Sequence, residues 1–285
     1  MRVKRKLELC VLSDLHLGTY GCHARDLNAY LKSIHPDVLV LNGDIIDIWN
    51  FRKRYFPKEH IKVIRSILKM AASGTKVYYI TGNHDESLRR FSGFKLGNID
   101  LRDKLVLKIG EQRAWFFHGD VFDRSIQGAK FIAKLGGWGY DLLILLNRFL
   151  NNIISSLGRE RYSLSKRIKS GVKKAVSFIS DFEQVAADLA IDKGYDYVVC
   201  GHIHQPQMRT VENDKGSTIY LNSGDWVESL TALEYTAGAW KLYHHDELEP
   251  TSNEPEEEHE EGENPLLSKK ELLVKLSTEL LQHNS

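Results

Sequence analysis

Residues 7–18 read Leu-Glu-Leu-Cys-Val-Leu-Ser-Asp-Leu-His-Leu-Gly, and residues 37–44 read Asp-Val-Leu-Val-Leu-Asn-Gly-Asp. Each is a short apolar run that ends abruptly in polar residues, a carboxylate among them. Runs of this length, bounded by turn formers, predict buried strands over Leu7–Ser13 and Asp37–Asn42. A third run, Lys76–Thr81, ends in Gly82-Asn-His-Asp85. Stretches of helical period lie between the three, at about 24–34 and 58–72. Strands alternating with helices give βαβ units around a largely buried sheet.

Further along, Leu105–Ile109 and Arg113–Phe117 flank Gly110-Glu-Gln112 and predict a hairpin. Strand signals return at Tyr195–Cys200 and at about 208–212, 217–222, 230–235 and 239–243. Closing β-strands after βα units predict an α/β fold over residues 1–245, a two-layer α/β sandwich rather than a Rossmann fold. Residues 124–175 interrupt it without a strand-like run, and predict a helical lid insertion. From 246 to 264 the Glu, Pro, Ser and Asn content predicts a disordered acidic linker. Residues 265–285 carry an amphipathic helix over Leu266–Leu281, opened by the capping-box pattern Ser268-Lys-Lys-Glu271.

The net charge of +1 hides an uneven distribution. Residues 246–285 hold twelve acids and three bases, so the body carries +10 and the tail −9. Nearly all of the excess sits in the 124–175 insert, with eleven Lys/Arg against Asp141 and Glu160. A basic body points to an anionic partner. Cys10, Cys22 and Cys200 stand singly and make neither a disulfide framework nor a paired-cysteine zinc site, which fits a reducing compartment. The basic start is followed by too short an apolar run for a signal peptide. No stretch reaches the roughly 18 uncharged apolar residues of a membrane span. The expected location is the cytoplasm, peripheral on the cytoplasmic face of the inner membrane.

Five polar clusters end strand-like runs: Asp14-Leu-His16, Asn42-Gly-Asp44, Gly82-Asn-His-Asp85, His118-Gly-Asp120 and Gly201-His-Ile-His204. Singly each is a weak signal. Their shared position is informative, because open α/β sheets bind ligands outside the carboxyl ends of their strands. Carboxylates and imidazoles crowded there are costly unless something neutralises them. Two divalent metal ions would do so. Asp, His and Asn without Cys make a nitrogen and oxygen donor set, suited to Mn²⁺, Fe²⁺, Zn²⁺ or Mg²⁺. Two such ions about 3.5–4 Å apart activate water and clamp the oxygens of an in-line displacement at phosphorus.

The ordered string D-x-H, GD, GNH[DE], H, GHxH resembles the signature of the calcineurin-like metallophosphoesterases and spans residues 14–204. The resemblance implies a two-sheet β-sandwich flanked by helices and two metal ions, with Mn²⁺ the expected ion. Asp14, His16 and His204 would hold the first, Asp44 would bridge, and Asn83, His118 and His202 would hold the second. It further implies that His84 touches the phosphate or leaving group, steadied by Asp85, so that Asn83, His84 and Asp85 form the catalytic loop. Within the superfamily, Ser-Asp-Leu-His-Leu-Gly (13–18), Gly-Asp-Ile-Ile-Asp-Ile-Trp (43–49), Gly-His-Ile-His-Gln-Pro (201–206) and Gly-Asp-Trp (224–226) look most like bacterial UDP-2,3-diacylglucosamine diphosphatases of lipid A synthesis. The insert matches their helical lid in place and size. Members have arginine at the position of His84, and the acidic tail is foreign to them.

The implied substrate is an acylated nucleotide sugar, cleaved to UMP and a lipid monophosphate. A soluble phosphodiester or nucleotide diphosphate is the alternative. The insert bears an apolar run over 140–157 followed by basic residues, among which Arg167, Lys169, Lys173 and Lys174 are candidates for substrate binding. An apolar helix beside a basic stripe suits an acylated diphosphate or a membrane surface; a helix packed on the body with a solvated basic face is the plainer reading. Nucleic acid is not an expected partner, since no aromatic residues interleave with these lysines. Asp47 either orients a ligand histidine or serves as a surface or capping residue. Asn222-Ser-Gly-Asp225 reads as a structural turn near the second metal. A non-enzymatic reading makes the metal fold a scaffold, with Leu266, Leu273, Leu276 and Leu280 of the tail recruiting a partner.

Overall fold

Strand β1 (Arg5–Leu12) pairs in parallel with β2 (Ile34–Asn42) through the crossover helix α1 (Ala24–Ser33). The computed structural model describes residues 4–48, 56–122 and 179–245. Helix α2 (Lys58–Ala72) leads to β3 (Lys76–Ile80), parallel to β2, and β5 (Ile99–Arg102) continues the parallel run beside the short edge strand β4 (Lys95–Leu96). On the other side, β11 (Thr231–Thr236) and β12 (Ala239–His244) add antiparallel, giving a seven-stranded sheet in the order β12-β11-β1-β2-β3-β5-β4. The second sheet comprises β6 (Lys104–Ile109), β7 (Gln112–Phe117), β8 (Tyr197–Cys200), β9 (Gln207–Asn213) and β10 (Gly216–Asn222), in the order β6-β7-β8-β10-β9.

The period-2 alternation of the strands builds three apolar layers. Leu9, Val11, Val40 and Ile80 of the first sheet face Ala114, Phe116, Val199 and Leu221 of the second, forming the sandwich core. Cys10, Leu12, Leu39, Leu41 and Val77 point the other way, onto Leu27, Leu31, Val63, Ile67 and Met70 of α1 and α2. Trp115, Phe117, Val198, Cys200 and Tyr220 pack on Phe182, Ala186 and Ala190 of a third helix, described over 179–192. Burying each large side chain contributes about 1.5–3 kcal/mol, so a one-residue slip that exchanged the faces of β1 would be opposed on both sides. Arg5 and Tyr30 close the sheet onto β11 by donating to the buried Glu234 carboxylate at 2.7–2.9 Å.

The architecture is the expected α/β sandwich, with local differences. Strand β2 starts at Ile34, through Pro36, which pairs with Leu7 at the sheet's lower end. Strands β4 and β5 and a 3₁₀ helix over Glu86–Phe91 carry no periodic signal in so few residues. Among the described residues no helix is long and apolar enough to cross a membrane. The predicted lid at 124–175, linker at 246–264 and tail helix at 265–285 lie outside the described residues, and so do Arg167, Lys169, Lys173 and Lys174.

Candidate metal centre

Six strands that run the same way, β1, β2 and β3 in one sheet and β7, β8 and β10 in the other, deliver their C-terminal loops to one place. The loops are stitched to each other through the backbone. Asp14 N–H donates to Gly43 O, His16 N–H to Asp44 O, Gly201 N–H to His118 O and Trp226 N–H to Asp14 O, at 2.9–3.2 Å. Asn42 crosses between the sheets, its side-chain amide donating to Phe117 O and Val199 O at 3.2 and 3.3 Å. Asp14, His16, Asp44, His202 and His204 all have φ between 49° and 71°. That left-handed conformation is uncommon for residues other than glycine, and its concentration in these five is strain of the kind held at functional sites.

The side chains converge in two sets. Asp14, His16 and His204 present donor atoms within 4.8 Å of one another, and so do Asp44, His118 and His202. Asn83 joins the second set, its Oδ1 lying 3.2 Å from His118 Nε2. Ring orientation is set from behind. His118 Nδ1 meets Asn42 O at 3.0 Å, His204 Nδ1 meets Asp225 Oδ2 at 3.2 Å, and His16 Nδ1 meets Asp47 Oδ2 at 3.4 Å. A proton on each Nδ1, facing an acceptor, leaves the Nε2 lone pair aimed inward.

Those inward atoms fit cations. His16 Nε2 and His204 Nε2 face each other at 3.4 Å, with Asp14 Oδ1 3.2 Å from the latter. His118 Nε2 faces Asp44 Oδ2 at 3.3 Å and Asn83 Oδ1 at 3.2 Å. Lone pair against lone pair and carboxylate repels unless a proton or metal ion lies between. Asp14 Oδ1 is also buried without a hydrogen bond, close to His204 Nε2 but not aligned with it. The donors are all nitrogen and oxygen, as divalent ions of the Mn²⁺ or Zn²⁺ type require.

Protons fill the same role when no cation is bound. Burial by itself would lower the pKa of His118, but the Asp44 carboxylate outweighs it and lifts the ring to about 10. Burial likewise opposes the charge on His204, and Asp14 and Asp225 still raise it well above the usual imidazole range. In return, burial is overcome at Asp14 by His204 and at Asp44 by His118, and both carboxylates are held below their ordinary values. Asp225 is buried too, yet His204 and the backbone amides of Glu228 and Ser229 hold it at about 2. Metal binding to these histidines therefore releases protons.

Two histidine partners differ from the sequence reading. His84 Nδ1 meets Asp47 Oδ2 at 3.0 Å, so Asp47, and not Asp85, steadies that ring. Asp85 is fully buried and holds backbone instead: Gly82 N–H and Tyr79 OH donate to it at 2.6 Å, and Ile45 N–H at 3.0 Å. It ties the 82–85 loop to the loop of Asp44 without reaching the cleft. His84 Nε2 points to Asp44 Oδ2 at 4.0 Å, and its backbone N–H donates to Asp44 Oδ1 at 2.8 Å. Asp225, read from sequence as part of a structural turn near the second metal, is instead the partner that orients His204 of the first set. The Gly-Asp-Trp string at 224–226 carried that signal; only the fold brings it to His204. Because Asp47 serves both His16 and His84, Asp47→Asn is expected to weaken metal binding by roughly 10–100-fold, the usual cost of losing such a partner. Metal titration of the apo-protein checks it, and unchanged affinity would leave Asp47 acting on His84 alone.

Two glycines let the loops close this tightly. Gly43 has φ +88°, and a Cβ there would collide with the His118 ring. At Gly82 a Cβ would sit 2.6 Å from the Asp44 backbone nitrogen and 2.8 Å from His118 Cδ2. Gly82→Ala should therefore cost about 1–3 kcal/mol of stability through overpacking, read by urea denaturation, and displace both donors. Wild-type stability together with wild-type metal content would contradict this packing.

The calcineurin-like phosphoesterase family model matches residues 7–206, which contain every donor described above except the His204 partner Asp225. A protein of Stenotrophomonas maltophilia named UDP-2,3-diacylglucosamine hydrolase is 24% identical over 81% of this chain and 96% of its own length. One of the same name from Aliivibrio fischeri is 24% identical over 83% of this chain and 98% of its own. Among solved structures, an archaeal phosphodiesterase is similar over 83% of this chain and 98% of that one, at 12% identity and a TM-score of 0.40.

Proposed function

The chain belongs to the calcineurin-like phosphoesterase family, and from that premise we propose that it hydrolyses the diphosphate of an acylated nucleotide sugar of the UDP-2,3-diacylglucosamine type. The products are UMP and the acylated sugar phosphate. The observation that carries the hydrolytic reading is the presence of two nitrogen and oxygen donor sets, Asp14/His16/His204 and Asp44/His118/His202, linked because His16 and Asp44 also bring donor atoms within 4.8 Å together with His84. The substrate class rests on relatives of that name, which this chain matches over nearly their whole length.

Asp14, His16 and His204 would hold one divalent ion and Asn83, His118 and His202 another, with Asp44 shared and manganese the favoured metal. Such a pair, when bound, acidifies water and sets positive charge against the phosphoryl oxygens. The protein's own groups do the rest. Asp47 and Asp225 keep the Nδ1 protons in place, so that the rings of His16, His84 and His204 cannot turn. His84 is partly exposed and directs Nε2 toward the shared carboxylate, where it can donate to a phosphoryl oxygen or protonate the oxygen that leaves. Burial opposes that proton, but Asp47 and Asp44 raise the His84 pKa and favour the donor form. Hydrolysis adds water across one P–O bond of the diphosphate, and the departing phosphate oxygen takes the proton.

Phosphorus NMR of the Mn²⁺-loaded protein with UDP-2,3-diacylglucosamine, UDP-glucosamine and a simple bis-ester tests the assignment. The acylated substrate should be consumed fastest, with UMP as a product. Equal turnover of UDP-glucosamine would favour a soluble nucleotide diphosphate, and no turnover of any diphosphate would end the reading.

An acylated substrate lies at a bilayer surface, and the 124–175 segment carries +9 beside the apolar run 140–157. Basic side chains near anionic lipid contribute about 1 kcal/mol each. Co-sedimentation with anionic vesicles is therefore expected, reduced by about 0.5 M salt through screening and by changing Lys166, Arg167, Lys169, Lys173 and Lys174 to Ser. Binding that ignores both salt and these substitutions would remove charge as its cause.

A further inference from the structure

A second concave site lies at the opposite end of the parallel strands. It is a cavity of about 260 Å³ between the ends of α1 and α2. Lys4 precedes β1 and His35 lies at the start of β2, whereas Asp14 and Asp44 follow the far ends of those strands. Strand β1 has eight residues, and at about 3.3 Å per residue this puts the cavity roughly 25 Å from the metal residues.

Its lining is one-sided in charge. Lys4, Lys32, Lys69 and His35 surround it, with the hydroxyls of Ser66 and Ser73 between them, and among the described residues no carboxylate lines it. Nearby ion pairs use other lysines, Lys6 with Asp37 at 3.9 Å and Lys62 with Glu59 at 3.6 Å. Among the described residues, Lys4, Lys32 and Lys69 have no carboxylate within ion-pair distance.

The plainer account is that Lys32 and Lys69, in the last turns of α1 and α2, offset the helix dipoles. Each helix end carries roughly half a negative charge, so two ends neutralise about one of the three lysines. Nor do the carbonyls of α2 call for ammonium donors. Those of Lys69, Met70 and Ala71 already accept from the amides of Ser73, Gly74 and Thr75, and Ala71 O also from Asn98. An excess of about two positive charges is left around a cavity whose floor is Leu31 and Met70.

We infer that this cavity binds a phosphate monoester, its oxygens on the lysines and its ester group on the apolar floor. The volume lies just under the roughly 300–1,000 Å³ of drug-sized ligand sites, which suits a small phosphorylated molecule or one lipid headgroup and not an entire acylated nucleotide sugar. The site is independent of the diphosphate reading, because it shares no residue with the metal centre.

Amide-resolved nitrogen-15 NMR of the full chain loaded with diamagnetic Zn²⁺, titrated with inorganic phosphate and glycerol 3-phosphate, separates this site from the metal centre. Saturable shifts are expected at the amides of Lys32, His35, Lys69 and Ser73. The affinity read there should fall at least tenfold in Lys4→Ser/Lys32→Ser/Lys69→Ser, while phosphate shifts near Asp44 and His84 persist. Co-sedimentation with vesicles of phosphatidic acid, against phosphatidylglycerol, identifies the source. Preferential binding to the monoester lipid, lost in the same variant, assigns a headgroup; shifts with the soluble probes alone assign a soluble ester. No saturable shift with either probe and no monoester-dependent vesicle binding would overturn the inference. Shifts that survive the triple substitution would overturn it equally.

Discussion

Asp44→Ala is expected to yield a folded protein that retains at most one divalent ion and loses turnover by at least roughly 10³-fold, about 4 kcal/mol of barrier. Asp44 is the carboxylate common to two of the three groups of described residues that could hold a metal ion. Its Oδ2 lies 3.3 Å from His118 Nε2 and 4.0 Å from His84 Nε2, and its Oδ1 accepts the His84 amide at 2.8 Å. Removing it takes a donor from the second set and leaves the His118 ring without its counter-charge. It also frees the loop that carries Asn83 and His84. Metal analysis after dialysis and phosphorus NMR of the reaction read the two effects separately. Turnover above about a tenth of wild type, a loss of under about 1.4 kcal/mol, would remove Asp44 from the centre of the reaction.

His84→Ala should behave differently. Metal content is expected to stay at the wild-type level, while turnover falls by roughly 10²–10⁴-fold, as for loss of a positioned proton donor. His84→Arg should recover at least tenfold over the alanine variant, by restoring positive charge toward the phosphoryl oxygens. Loss of a metal ion on His84→Ala would instead make His84 a ligand. That outcome has a structural basis, because His16, Asp44 and His84 also bring donor atoms within 4.8 Å. Asp47→Asn supplies the contrast. It disturbs both His84 and His16, and should lower metal affinity and turnover together.

The α/β order, the hairpin at β6–β7 and the late strands were legible because each is a run long enough for its period to stand out. Strand β2 was legible except at its start, where Pro36 reads as a strand breaker yet fits the sheet's lower end. Strand β5 was not legible. Its four residues, Ile-Asp-Leu-Arg, become a strand by pairing with β3, and the buried Asp100 is tolerated there through Arg102 at 2.8 Å. The five polar clusters that supply the candidate donors were legible because carboxylates and imidazoles at the ends of apolar runs demand a neutralising partner; their division into two sets came from the family resemblance.

The sequence by itself determined which residues are available to a metal and that they close strands, since composition and period 2 depend only on near neighbours along the chain. The tertiary structure decided what holds them. Asp47 reaches His84 from 37 positions away and Asp225 reaches His204 from 21. Asp85 turns inward to backbone and Tyr79. The left-handed φ of five ligand candidates appears only when six loops compete for one space. Hydrogen bonds between side chains are decided by distance and angle in three dimensions. Local sequence fixes neither, because Asp47 lies in the loop after β2 and Asp225 in the loop after β10, each brought to its histidine by the packing of two sheets.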